Sequence, residues 1–112
     1  MIKSYAKINL SLNVLGKLKS NYHRIETIVS FINLYDEIYI KKINQKNHKT
    51  FFYGKFSKGI TSKNTINQVI NLMDEKDILK GKKYLIKIKK NIPQKAGLGG
   101  GSMNAASILK YF

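Results

Sequence analysis

The sequence predicts an α+β fold, a mostly antiparallel sheet with helices packed on it, and three observations carry that prediction. Ile2 to Val14 alternates as a half-buried strand does, and Tyr84, Ile86 and Ile88 alternate with Leu85, Lys87 and Lys89 in the same way. Ala105, Ile108, Leu109 and Phe112 instead recur at i, i+3, i+4 and i+7, the apolar stripe of a helix. Strands come first, and helices follow them and flank a late strand, which is an α+β order rather than a regular βαβ alternation.

In the first strand, Ile2, Ala6, Ile8, Leu10, Leu12 and Val14 share one parity, and Lys3, Lys7, Asn9, Ser11 and Asn13 share the other. Lys7 and Asn9 therefore stand two residues apart on one face, and from the residues alone that face reads as solvent-exposed. A turn or loop over 16–21 leads to Tyr22-His23. Residues 25–35 place Ile25, Ile28, Val29 and Ile32 at helical spacing, but their β-branched content favours a strand. Asp36-Glu37 then opens a further strand, Ile38 to Ile43. A polar connection over 44–49 joins it to Thr50–Tyr53, and the two strands are expected to pair as a hairpin.

After a loop over 54–63, Asn64 caps a helix with Ile66, Val69, Ile70 and Met73 on one face. Asp74, Glu75 and Asp77 oppose the dipole at a helix C-terminus, so this helix is expected to continue to Lys80 and stop at Gly81.

The totals exclude several classes. The 112 residues suffice for one domain, and no run approaches the roughly 18 apolar residues of a membrane span. The absence of cysteine removes disulfides and thiolate metal sites and agrees with a cytoplasmic setting. His23 and His48 stand apart, so no metal cluster is expected. A net charge of +15 would ordinarily suggest nucleic acid, but only Arg24 among 21 basic residues is arginine, the residue best suited to reading bases and forking phosphates. The lysines are spread along the chain and read as solvated surface.

Chemistry concentrates in Ile92-Pro93 and the stretch Lys95 to Asn104, where Gly97, Gly99, Gly100 and Gly101 place four of the eight glycines within five residues. Glycines between a strand and a helix allow left-handed turns and close approach of the main chain to a ligand, and a helix start offers free N–H groups to an anion. Ser102 is the expected N-cap. A Walker A loop needs lysine directly after its last glycine, where Ser102 stands here. The dinucleotide fingerprint needs glycine at that same position, so both readings fail.

What remains, Pro93-x-x-x-Gly97-Leu98-Gly99-Gly100-Gly101-Ser102-x-Asn104-Ala105-Ala106, resembles the phosphate loop of the GHMP kinases. Ala6-Lys7-Ile8-Asn9-Leu10, Tyr22-His23 followed by Glu26-Thr27 and Asp36, Asn64, and Ile92-Pro93 extend the resemblance from about Ser4 to Phe112. They are most similar to the branch that phosphorylates the 2-hydroxyl of 4-diphosphocytidyl-2-C-methyl-D-erythritol in isoprenoid biosynthesis. The chain departs from the family pattern at Met103, where a second small hydroxyl residue is usual, and at Ser20-Asn21, where Asp-Gly is common.

The resemblance implies the GHMP N-terminal domain, similar to the second domain of a small-subunit ribosomal protein. It implies ATP and Mg²⁺ as cofactors, held by Pro93, Gly97, Leu98, Gly99, Gly100, Gly101, Ser102 and Asn104, with Ser102 as the hydroxyl toward the metal. Lys7 would act at the reacting phosphoryl group, Asn9 at the acceptor hydroxyl, and Tyr22 and His23 on the cytidine. The partner implied is this small molecule, with no nucleic acid and no membrane; oligomeric state is left open. The family carries its catalytic aspartate in a segment beyond the glycine loop that these 112 residues do not contain. Residues 1–112 are therefore expected to be an N-terminal, ATP-binding domain that is inactive alone. The alternatives are another small-molecule kinase of the superfamily, a nucleotide-binding remnant and a basic RNA-binding module.

Overall fold

In the computed structural model, which describes residues 1–20 and 22–112, the elements run β1 (Ile2–Lys17), β2 (His23–Ile43), β3 (Lys49–Tyr53), α1 (Thr65–Glu75), β4 (Lys83–Lys89) and α2 (Gly100–Tyr111). The strands form one sheet in the order β1-β2-β4-β3. The β1–β2 and β2–β4 pairs are antiparallel, and β3–β4 is parallel. The expected α+β architecture with a mostly antiparallel sheet is therefore present, with one parallel pair connected through α1.

The expected hairpin between 38–43 and 50–53 does not form, because β4 lies between them. Ile86 and Ile88 are fully buried, and the interior of the sheet serves such residues better than an edge does. β3 takes the edge instead. Nor do 25–35 and 38–43 form two strands: β2 is continuous over 21 residues, and Asp36 lies within it, completely buried. Its carboxylate finds partners across the sheet, so the chain has no need to break there.

Register explains the core. Ile2, Ile38 and Ile88 align with Phe52, and Ile40 and Ile86 align with Thr50, all on the face that α1 and α2 cover. Ile66, Ile70 and Met73 of α1 and Ala105 and Ile108 of α2 complete this single core. The Thr50 hydroxyl donates to Asn67 Oδ1 at 2.8 Å and pins α1 over β3. Leu109, expected on the apolar stripe, is about half exposed, since the buried face of α2 runs through Asn104, Ala105 and Ile108.

Asn64 caps α1 as expected, its side chain accepting from the Asn67 N–H at 2.9 Å. The helix ends at Glu75 rather than Lys80. Asp74, near the unfavourable end of the dipole, is neutralised by Lys83 Nζ at 2.5 Å and His48 Nε2 at 3.0 Å, and so does not force the helix onward. The exit then turns through left-handed residues at Asp77, Lys80 and Gly81.

The parity face of β1 is covered only near its start. Ser4 and Ala6 are buried, whereas Leu10, Leu12 and Val14 are more than half exposed. Register shifts between Tyr5 and Lys7, Asn9 and Ser11, and Val14 and Gly16 twist the β1–β2 ribbon away from the two-layer body. The expected loop over 16–21 starts later, since β1 runs to Lys17, and Asn21 lies outside the described residues.

Candidate functional site

The main chain after β4 cannot continue the ladder past Pro93, which lacks an N–H, and it turns into the glycine stretch. Lys95, Gly97 and Gly99 have φ of 56°, 71° and 67°. Gly99, not Ser102, is the N-cap of α2, and Ser102 is the third residue of the helix. The left-handed cap leaves no side chain in the capping position, so the first N–H groups of α2 have no protein cap.

The contrast with α1 is instructive. Its start is closed by its own Asn64, and it stands beside the open start of α2: a Cβ built on Gly101 would lie 3.8 Å from Thr65 Oγ1. Both helix N-termini line one cleft of about 560 Å³, together with Lys63, Lys90, Lys95 and the whole of Gly97–Ser102. Two positive dipole ends and a run of main-chain donors thus converge on one anion-sized space. That volume is within the roughly 300–1,000 Å³ of small-molecule sites.

β1 reaches the same loop. The Lys7 N–H donates to the Leu98 carbonyl at 3.0 Å, and the Lys7 stem lies over Gly99, where an added Cβ would sit 3.0 Å from Cε. Glycine at 99 is therefore required twice, by its φ and by this lysine. From Lys7 to Asn9 the pairing with β2 is regular, so the two side chains share a face as expected. Met103 points away from the cleft, into a groove with Ile2, Tyr5 and Phe31, so the family's second hydroxyl is not replaced by an intruding side chain.

Among the expected site residues, Pro93, Gly97, Leu98, Gly99, Gly100, Gly101, Ser102 and Asn104 line the cleft and Lys7 abuts it. Tyr22 and His23 stand at the far end of the ribbon, where His23 pairs with Lys17, ten residues and a path of roughly 33 Å along β1 from Lys7. Tyr22 is 74% exposed. The structure does not bring this pair to the glycine loop.

Sequence reasoning gave no role to Lys90, and none to Asp36 beyond its place in a motif. Both are buried: Asp36 accepts from Lys90 Nζ, from the Asn91 and Ile92 N–H groups at 2.7 and 2.9 Å, and from Asn104 Nδ2 at 2.9 Å. The available signal was parity, because Asp36 shares its face with Ile38 and Ile40 and so had to be an inward-facing acid. With four donors on it, this carboxylate has no capacity left to take a proton from a substrate.

A two-layer α+β body with a glycine loop opening a helix beside a second helix start is the arrangement to which the resemblance to the GHMP kinases points. Residues 64–112 match the family described as GHMP kinases N terminal domain. Over nearly its whole length it is similar to part of proteins named 4-diphosphocytidyl-2-C-methyl-D-erythritol kinase. It is 58% identical to that of Pelagibacter ubique over 99% of the chain and 39% of the relative. It is 42% identical to that of Caldicellulosiruptor bescii over 97% of the chain and 37% of the relative. A crystal structure of 4-(cytidine 5'-diphospho)-2C-methyl-D-erythritol kinase superposes with a TM-score of 0.75 at 28% identity, over 98% of this chain and 38% of the other. The chain thus spans less than half the length of the relatives it matches. The strands over residues 2–53 lie outside the matched 64–112, and they supply Lys7 and Asp36.

Proposed function

We propose that the chain forms the phosphate-donor half of an ATP-dependent kinase that phosphorylates the 2-hydroxyl of 4-diphosphocytidyl-2-C-methyl-D-erythritol. The single observation carrying this reading is the convergence of an uncapped glycine helix start, a second helix start and the Lys7 strand on one cleft. Phosphoryl transfer needs positioning and charge neutralisation more than covalent help, and main-chain N–H groups and ammonium groups provide both.

In this reading Gly97–Ser102 and Asn104 cradle the ATP phosphates against the start of α2, and Pro93 fixes the entry to the loop. Lys7, its stem held on Gly99, presents its ammonium toward the transferring phosphoryl group, with Asn9 beside it orienting the acceptor hydroxyl. Tyr22 and His23 on the ribbon grip the cytidine end of the acceptor. Among the described residues no cluster of three acidic or imidazole ligands exists. Mg²⁺, which accepts a few protein oxygens with waters and phosphate oxygens, fits a site to which Ser102 contributes one hydroxyl. When bound it would neutralise charge on the phosphates. No helix among the described residues is long and apolar enough to cross a membrane.

The experiment is to follow ADP release with this substrate and ATP, using the full reading frame that carries the chain. Lys7→Ala is expected to lower turnover by roughly 10²–10³-fold, and a variant as fast as wild type would sink the role given to Lys7.

A further inference from the structure

We propose that Asp36 is a positioning residue for the phosphate loop, an inference that rests on the cleft binding nucleotide phosphates. Two parts of the chain that reach it only in the folded state, residues 90–92 and α2, converge on its carboxylate. Oδ2 accepts from Lys90, the residue after β4, and from Asn104 of α2 at 2.9 Å. Oδ1 accepts from the Asn91 and Ile92 N–H groups at 2.7 and 2.9 Å, on the segment entering the loop.

The loop rests on what Asp36 holds. A Cβ added to Gly100 would lie 3.2 Å from Ile92 Cγ2 and 3.4 Å from Lys90 Nζ, so the first turn of α2 packs directly on both. Asn104, one turn further on, is 1% exposed, and only its Nδ2 can face a carboxylate that is purely an acceptor. Entry and exit of the loop are thereby fixed to β2, and the N–H groups of Gly99–Ser102 are set before a ligand arrives. A completely buried acid with one ammonium and three N–H partners is otherwise an expensive way to fill a core position. Its partners are all at the loop.

The test titrates the full chain with a non-hydrolysable ATP analogue and, separately, with adenosine, and measures amide exchange of Gly99–Met103 without ligand. Asp36→Asn is expected to bind the analogue about tenfold more weakly, to keep adenosine affinity within about twofold, and to exchange the loop amides faster. Asp36→Asn strands the Lys90 ammonium, which can unfold the chain, so Asn104→Ala is the second variant; because Asn104 also lines the phosphate cradle, the readout that isolates the helix arm there is faster exchange of the loop amides without ligand. Asn104→Ala should weaken the analogue at least about threefold with the same sparing of adenosine. Wild-type affinity in a folded variant, or equal loss for both ligands, overturns the proposal. A wild-type chain that binds no analogue overturns the reading of the cleft instead; loop exchange unchanged in both variants then overturns the role of Asp36 independently.

Discussion

Gly99 shows how a single residue can be constrained from two sides. Its φ of 67° disfavours any side chain, and the Lys7 stem occupies the space a Cβ would take. Gly99→Ala is therefore expected to cost about 1–2 kcal/mol of stability from backbone strain alone, measurable by urea unfolding, and to weaken nucleotide binding as Lys7 is displaced. Equal stability and binding in the variant would contradict the contact. Asp74 is the residue with a legible pH effect. Its pKa is lowered chiefly by the hydrogen bond from Lys83 and further by His48, against a desolvation that raises it. A carboxyl whose folded pKa lies below its unfolded one stabilises above the unfolded value and loses that contribution as pH falls through the folded value. Asp74→Asn should thus lower stability at pH 7 by less than about 1 kcal/mol, the pair being partly exposed. The difference should start to shrink only as pH falls below about 4 and vanish below the lower, folded value, and denaturation followed across that range checks both.

At the scale of elements, the two helices divide their labour at their starts. α1 uses Asn64 to satisfy its own Asn67 N–H, while α2 begins at a left-handed glycine with nothing in the capping position. Asn64→Ala should cost about 1 kcal/mol by loss of the cap, read as a lower urea midpoint with unchanged slope. Because Asn64 Nδ2 also donates to the Thr61 carbonyl at 2.8 Å, the same variant loosens the rim of the cleft. β4 is the organising strand: its two buried isoleucines put it inside the sheet, and its end delivers Lys90, Asn91 and Ile92 to Asp36.

The whole molecule is a packed body carrying a projecting ribbon. Its radius of gyration is 15.9 Å with a longest extent of 49 Å, against roughly 13 Å expected for a compact domain of this length. Leu10, Leu12, Val14, Ile25, Ile28 and Phe31 lie exposed along that ribbon. Replacing Leu12 and Ile28 by lysine should therefore change unfolding free energy by no more than about 0.5 kcal/mol per site, while a core residue would not tolerate it; a large drop in the melting temperature would show that the ribbon is packed in solution. The spread of lysines over a body of net charge +15 agrees with a solvated surface, since the ion pairs found, such as Lys89–Glu37 at 3.3 Å, are few beside the number of cations.

Local signals determined much of this protein. Alternation placed β1 and β4, the spacing of Ile66, Ile70 and Met73 placed α1, and the strand–glycine–helix order marked the loop that lines the cleft, because each depends on neighbours within a few residues. Tertiary structure alone decided that β4 separates β2 from β3, that Gly99 and not Ser102 caps α2, and that Lys7 lies on the glycine loop. It also decided that the ribbon stands clear of the body. Strand order depends on pairs far apart in the chain, such as Lys49 with Leu85, and the burial of Asp36 on pairs more than fifty apart, as in Asp36 with Lys90; no local period encodes which distant donors will gather around a buried charge.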